Sequence, residues 1–212
     1  MLILALDVLN EKKAMDIAAD VRDYISMIKV NYPLVLSSGI GIIEKLSKIK
    51  PVIADFKIAD IPYTSSLIAE IAFENRAKAV TTHGFVGKDV IEAVKKVAGR
   101  YDGEVYVVTE LSSKGGREFM AKVSEKIVEI ANETGCDGLI VPATRPERIK
   151  EIRSKTSLKL IAPGVITQGG EIKDTLDAGA DGIIVGRAIY NAKDPKEEAK
   201  KIWELIKKYK KI

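Results

Sequence analysis

The chain predicts a closed (β/α)8 barrel of the TIM type, a single domain over residues 1–212, on three observations. Apolar runs recur eight times, at 2–6, 26–30, 51–56, 79–83, 105–110, 138–142, 160–164 and 182–186. Their spacing of roughly 25 residues leaves room for a strand, a helix and two loops in each unit. Between the runs, apolar residues repeat at three- and four-residue steps, as in Val90, Ile91, Ala93, Val94 and Val97 or in Val123, Ile127, Ile130 and Ala131. That repeat marks amphipathic helices. Finally, 212 residues with 46% hydrophobic content suffice for one well-buried core and are short for two. Eight units in that length favour a barrel over an open, doubly wound sheet.

The first run, Met1 to Leu6, has no basic lead-in and meets Asp7 too soon for a signal peptide or a membrane span, so it reads as a strand. Alternation puts Ile3, Ala5 and Asp7 on one face, and in the second run Met27 and Lys29. The third run, Pro51-Val52-Ile53, leads into Ala54-Asp55-Phe56-Lys57-Ile58-Ala59-Asp60-Ile61-Pro62. In an extended strand Asp55 and Lys57 share a face, Phe56 takes the other, and Asp60 begins a loop. Burying a charge costs several kcal/mol unless it is paired. On the residues alone this stretch is either a structural ion-pair network or a catalytic array. The fourth run ends at His83, the only histidine, for which a structural role is expected because scattered carboxylates give it no metal-ligand spacing. The fifth reaches Glu110-Leu111-Ser112 and the sixth ends at Pro142.

After the seventh run comes Pro163-Gly164-Val165-Ile166-Thr167-Gln168-Gly169-Gly170, and after the eighth Val185-Gly186-Arg187-Ala188. Barrels frequently bind a phosphate between these two loops, where glycines let backbone N–H groups approach and a short helix begins. Arg187 would add bidentate donors and Gln168 a neutral one; turn glycines beside a surface arginine are the alternative. Residues 200–211 read as a basic amphipathic helix closing the barrel, with Ile202, Leu205, Ile206 and Tyr209 turned inward, rather than as a membrane-binding segment.

Composition narrows the function. A net charge of +4 with 30% charged residues is a mixed balance, not the concentrated basicity of a nucleic-acid binder. The single Cys136 rules out an intramolecular disulfide and suits a buried thiol in a reduced, cytoplasmic setting. Abundant Lys, Glu and Ile, with Gln168 the only glutamine, match heat-adapted proteins.

Together Asp55-Phe56-Lys57-Ile58-Ala59-Asp60-Ile61-Pro62, Ala5-Leu6-Asp7, Ile28-Lys29, Pro163-Gly164-Val165 and Val185-Gly186-Arg187 resemble, over essentially the whole chain, the orotidine 5′-monophosphate decarboxylase family, its archaeal members especially. A sister group, the 3-keto-L-gulonate 6-phosphate decarboxylases and 3-hexulose 6-phosphate synthases, shares the D-x-K-x-x-D core. It uses magnesium and commonly has a glutamate in the place of Lys29, so Lys29 favours the metal-free decarboxylase. The resemblance implies a cofactor-free enzyme turning orotidine 5′-monophosphate into uridine 5′-monophosphate and carbon dioxide, with Lys29, Asp55, Lys57 and Asp60 as its charged tetrad. It implies a homodimer in which Asp60, Ile61 and Thr64 reach the neighbour's site. It also implies ribose contacts from Asp7 and Lys29, a pyrimidine contact from Ser112 or Ser113, phosphate contacts from Gln168, Gly186 and Arg187, and a pocket lined by Pro163 and Val165.

Overall fold

In the computed structural model, which describes residues 1–210, the eight apolar runs become eight parallel strands paired in sequence order, with β8 closing onto β1. They are β1 (Leu2–Ala5), β2 (Met27–Val30), β3 (Val52–Ile58), β4 (Ala79–His83), β5 (Glu104–Val108), β6 (Gly138–Ile140), β7 (Lys159–Pro163) and β8 (Gly182–Val185). Around them lie α1 (Glu11–Val21), α2 (Tyr32–Ser38), α3 (Ile42–Ser47), α4 (Pro62–Glu74), α5 (Lys88–Arg100), α6 (Met120–Glu133), α7 (Pro146–Arg153), α8 (Ile172–Asp177), α9 (Arg187–Tyr190) and α10 (Pro195–Lys210). Among the described residues no helix is long and apolar enough to cross a membrane.

Local chemistry sets the helix starts. Asn10 caps α1 by accepting from the Lys13 N–H at 2.9 Å, and the Asp194 carboxylate accepts from Glu197 N–H at 3.0 Å at the head of α10. Prolines open α4, α7 and α10, where a missing N–H costs nothing. Each buried helix stripe packs on the outer face of the strands, as Val90, Ile91, Val94 and Val97 do in α5.

The sequence expectation needs correction on two helices. In α10 Ile202 and Ile206 are buried and Tyr209 packs partly against the core, but Leu205 is 38% exposed. Trp203 takes the flank expected of Leu205, edge-on to Tyr24 at 5.9 Å. In α6 Ile127 and Ala131 are buried, whereas Val123 is 45% exposed and Met120 and Ser124 hold the inward positions of the first turns. The predicted helix also included Lys211, which lies outside the described residues, as does Ile212.

Inside the barrel, alternation sorts the side chains by height. Ile3, Met27, Ile53, Ala79, Tyr106, Ile140, Ile161 and Ile184 form an apolar plug. Above it, toward the C-terminal strand ends, the inward positions turn polar: Lys29, Asp55 and Thr81, all buried. The fold therefore buries a charge cluster at the C-terminal strand ends, the end where barrels place their chemistry.

Candidate active site

The cavity at the C-terminal end of the barrel gathers residues from most of the strands. At its floor Asp55 Oδ2 accepts from Lys29 Nζ and from Lys57 Nζ, each at 2.7 Å. Lys29 and Asp55 are sealed in, with side-chain exposures of 8% and 6%, while Lys57 keeps 29% and so presents its ammonium to the cavity. Asp7 extends the chain of charges, its Oδ1 3.9 Å from Lys29 Nζ. That Oδ1 is buried and without a hydrogen-bond partner among the described residues, while the Asp7 side chain as a whole is 34% exposed in the cavity lining.

Asp55 and Lys29 hold each other ionised. Burial alone pushes the Asp55 carboxyl up, but the ammonium groups of Lys29 and Lys57 and the hydrogen bonds they donate outweigh it and leave the group below the usual carboxylate range. Burial likewise pulls Lys29 down, yet Asp55 and Asp7 hold it above the ordinary lysine value. The array is thus fixed charge, assembled before any ligand arrives.

Asp55 and Lys57 meet as expected, but not by plain strand alternation. Lys57 has φ 45°, the left-handed region, and the β3–β4 register jumps from Ala54 opposite Val80 to Ile58 opposite Thr82. Three residues of β3 therefore face one residue of β4, a bulge that re-aims Lys57. Such a conformation in a residue with a Cβ costs of order 1–3 kcal/mol and persists only where its surroundings enforce it. Here Lys57 N–H donates to Thr81 Oγ1 at 2.9 Å. On the outer face, Phe56 stacks on Tyr32 with ring centroids 5.4 Å apart, and the Tyr32 hydroxyl donates to Phe56 O at 2.6 Å.

The opposite wall is built from the loops after β5, β7 and β8. Gly164 (φ 103°) and Gly169 (φ 92°) fold the loop after β7 into a tight turn in which Gly170 N–H donates to Gly164 O at 3.0 Å and Ile166 N–H to Gly170 O at 2.8 Å. Pro163 and Val165 line the cavity from this turn, and Gln168 hangs from its exposed tip. Gly186 and Arg187 line the cavity beside it, at the end of the adjacent strand β8. From the β5 side Ser112 lines the cavity, whereas Ser113 offers its carbonyl to Arg145 Nη1 at 3.4 Å. Of the two serines, Ser112 lines the cavity and Ser113 does not.

Ten of the thirteen residues singled out from the sequence line this one cavity. The exceptions are Asp60, Ile61 and Thr64. Asp60 is exposed, its carboxylate accepting from Ile61 N–H at 2.7 Å, and Ile61 is 65% exposed at the head of α4. None of the three lines the cavity of its own chain.

Three features escaped the sequence reading. Tyr190 lines the cavity, and burial together with the nearby Asp7 raises its hydroxyl above the ordinary value. It follows Arg187 by three residues, so the helical i,i+3 relation could have revealed it. Fully buried Glu110 pairs with Arg145 at 3.3 Å and Arg148 at 2.8 Å, and Arg145 also donates to Leu111 O at 2.5 Å, anchoring the segment that carries Ser112. Thr81 is the third. His83 stays outside the cavity lining; burial first, then the Lys57 ammonium, lowers its pKa, and it tilts against Phe85 at 4.8 Å. Among the described residues no three His, Cys, Asp or Glu side chains are grouped to hold a metal ion.

A parallel eight-stranded barrel with a fixed charge array at the C-terminal strand ends, faced by glycine-rich loops and an arginine, belongs to the class of (β/α)8 barrel enzymes of small-molecule metabolism. The comparisons name the group within that class. The family model described as orotidine 5'-phosphate decarboxylase / HUMPS matches residues 1–202. A protein of Methanococcoides burtonii named orotidine 5'-phosphate decarboxylase is 52% identical over 203 residues, 95% of this chain and 94% of that one. One of the same name from Pyrococcus furiosus is 48% identical over 213 residues, 99% of each. The crystal structure of the Methanocaldococcus jannaschii orotidine 5'-monophosphate decarboxylase complexed with the inhibitor BMP superposes with a TM-score of 0.94 at 47% identity, covering 97% of both chains. The chain belongs to the orotidine 5'-phosphate decarboxylase / HUMPS family.

Proposed function

We propose that this protein decarboxylates orotidine 5′-monophosphate to uridine 5′-monophosphate and carbon dioxide, the closing step of de novo uridine monophosphate formation. The observation that carries the reading is Asp55 Oδ2 held between two ammonium groups at 2.7 Å in a cavity whose far wall bears Gln168 and Arg187. Near-identical length and about half identity to proteins named for this reaction support it.

Loss of the C6 carboxylate leaves an electron pair on a ring carbon that has no ordinary resonance sink. Preorganised charge that interacts more strongly with the transition state than with the ground state is then the protein's means of lowering the barrier. Lys57 is the group for that work. Its ammonium stabilises the developing C6 carbanion, donates a proton to C6 as carbon dioxide departs, and is reprotonated from solvent. Asp55 holds the Lys57 ammonium in place through their 2.7 Å contact; repulsion between Asp55 and the departing carboxylate is a secondary contribution. Asp7 Oδ1, the unpartnered buried acceptor, takes a ribose hydroxyl, assisted by Lys29. Ser112 meets the pyrimidine amide, Pro163 and Val165 pack on the ring, and Gln168, Arg187 and the Gly186 backbone hold the 5′-phosphate. Binding energy from that remote phosphate can close the 167–170 turn and expel water from the reacting end.

The residues 1–212 act as one catalytic domain, and two copies pair so that Asp60, Ile61 and Thr64 complete each other's site. Support comes from Asp60 lying outside its own cavity and from exposed Ile61, Tyr63, Leu67 and Ile71 along one stretch of α4. Pairing would remove that apolar surface from water. A cytoplasmic location follows from the reaction class and the reduced, buried Cys136.

On this reading the reaction needs no metal, because Asp55 Oδ2 is already engaged by two ammonium groups at 2.7 Å. The test is the loss of orotidine 5′-monophosphate ultraviolet absorbance with and without EDTA. Turnover unaffected by EDTA is expected. Turnover abolished by EDTA, or none from folded protein, would return the site to the magnesium-dependent sugar-phosphate chemistry of the sister group.

A further inference from the structure

Between Asp55 and Lys57 stands a side chain that the mechanism has not used. Thr81 is fully buried on β4, opposite the three-residue bulge of β3. Its hydroxyl accepts from the Lys57 backbone N–H at 2.9 Å and donates to Asp55 Oδ1 at 2.9 Å. Both directions are fixed by chemistry, since an N–H can only donate and an ionised carboxylate can only accept. Oδ1 is thereby occupied by Thr81, which leaves Oδ2 to receive both ammonium groups.

The same hydroxyl replaces the ladder partner that the bulge denies to Lys57. Parallel pairing resumes only at Ile58 opposite Thr82, where the Thr82 hydroxyl donates to Ile58 O at 2.9 Å. Without an acceptor at Thr81, the Lys57 N–H would be an unpaired buried donor next to a left-handed φ. The backbone would then gain by relaxing toward the extended region.

We infer that Thr81 is a positioning residue for the decarboxylation: one hydroxyl fixes the left-handed backbone of Lys57 and the rotation of the Asp55 carboxylate, and so aims the Lys57 ammonium at the reacting carbon. The inference rests on the proposed reaction for its kinetic test and on geometry alone for its structural one.

Thr81→Val keeps the shape and removes the hydroxyl, and Thr81→Ser keeps the hydroxyl. Displacing a reacting group by about 1 Å can cost on the order of 10²-fold in rate. Thr81→Val is therefore expected to lower kcat roughly 10- to 100-fold, with the Michaelis constant and uridine monophosphate affinity little changed, because the loss falls on the transition state. Thr81→Ser is expected to restore most of kcat. A hydroxyl serving stability alone would lower the melting temperature and leave kcat of the folded enzyme intact. Wild-type kcat in Thr81→Val, or a Thr81→Ser variant as slow as Thr81→Val, overturns the inference. If Val is not accommodated, Thr81→Ala against Thr81→Ser gives the same contrast in the hydroxyl. A crystal structure of the slow variant should show Lys57 leaving its left-handed conformation or its contact with Asp55; retention of both overturns the inference whatever the turnover. A wild-type protein that does not consume orotidine 5′-monophosphate overturns the proposed reaction instead, and the variant's structure still decides the role of Thr81.

Discussion

Lys57 combines three properties that occur together nowhere else in the cavity: a positive φ, an ammonium bound to a buried carboxylate, and partial exposure toward the cavity. On the proposed mechanism, removing it deletes both the stabilising charge and the proton donor, while the residues assigned to the phosphate remain. Lys57→Ala is expected to lose at least the roughly 10²–10⁴-fold that a positioned acid contributes, with uridine monophosphate binding retained in a titration; near-normal turnover would refute its role as donor. Arg187 lines the wall after β8, is exposed, and in the proposed reaction holds the phosphate away from the bond that breaks. A charge-assisted hydrogen bond is worth about 1.5–3 kcal/mol, and exposure puts Arg187 at the low end. Arg187→Ala should accordingly raise the Michaelis constant about tenfold, and an unchanged value would remove it from the phosphate grip.

At the scale of the element, β3 and β6 carry the departures from ideal strands. β3 is bulged to bring Lys57 round, and β6 is shortened to three residues around Gly138. A Cβ on Gly138 would meet the Tyr106 ring at 2.5 Å and Lys159 O at 2.7 Å. Tyr106 is fully buried in the plug, with its hydroxyl on Glu104 at 2.5 Å, so the ring cannot yield cheaply. Gly138→Ala is expected to destabilise by about 1–3 kcal/mol or more through overpacking, visible as a lower thermal midpoint with turnover of the folded enzyme preserved. The strand and helix periods were legible in the sequence because they follow from burying one face of each element. The bulge was not, since it depends on a hydroxyl 24 residues away that no periodicity encodes. Leu205 shows the same limit, because which flank of an amphipathic stripe is covered depends on where Trp203 finds Tyr24.

For the whole molecule, the proposed pairing predicts that two inactive variants rescue each other. In a mixed dimer of Lys57→Ala and Asp60→Asn, one site receives an intact Lys57 from one subunit and an intact Asp60 from the other. Random exchange in a two-fold dimer should restore about a quarter of the wild-type sites. No recovery despite demonstrated subunit exchange would count against shared sites. Linked ion pairs also run from buried Glu110 and Arg145 through half-buried Arg148 out to exposed Glu151. Networks of this kind gain weight as temperature rises. Together with the Lys- and Glu-rich composition they predict a thermal midpoint above the roughly 45–65 °C of mesophile domains, measurable by calorimetry; a midpoint near 50 °C would contradict it.

By itself the sequence determined the barrel and the residues of its mouth, because eight buried strands at even spacing have few ways to close and charges at strand ends have few ways to be satisfied. It named ten of the residues that line the cavity, most of them readable as unusual residue types at or just past the end of an apolar run, and Val165 through the family resemblance. Only the tertiary structure decided how Asp55 and Lys57 meet, that Ser112 rather than Ser113 faces the cavity, and that Tyr190, Thr81 and the Glu110 cluster belong to its surroundings. The reason is physical. Burial and periodicity are properties of a segment and can be read along the chain, whereas the rotation of a carboxylate, the hand of one φ and the choice between adjacent serines are set by hydrogen bonds between segments that only folding brings within 3 Å or so of one another.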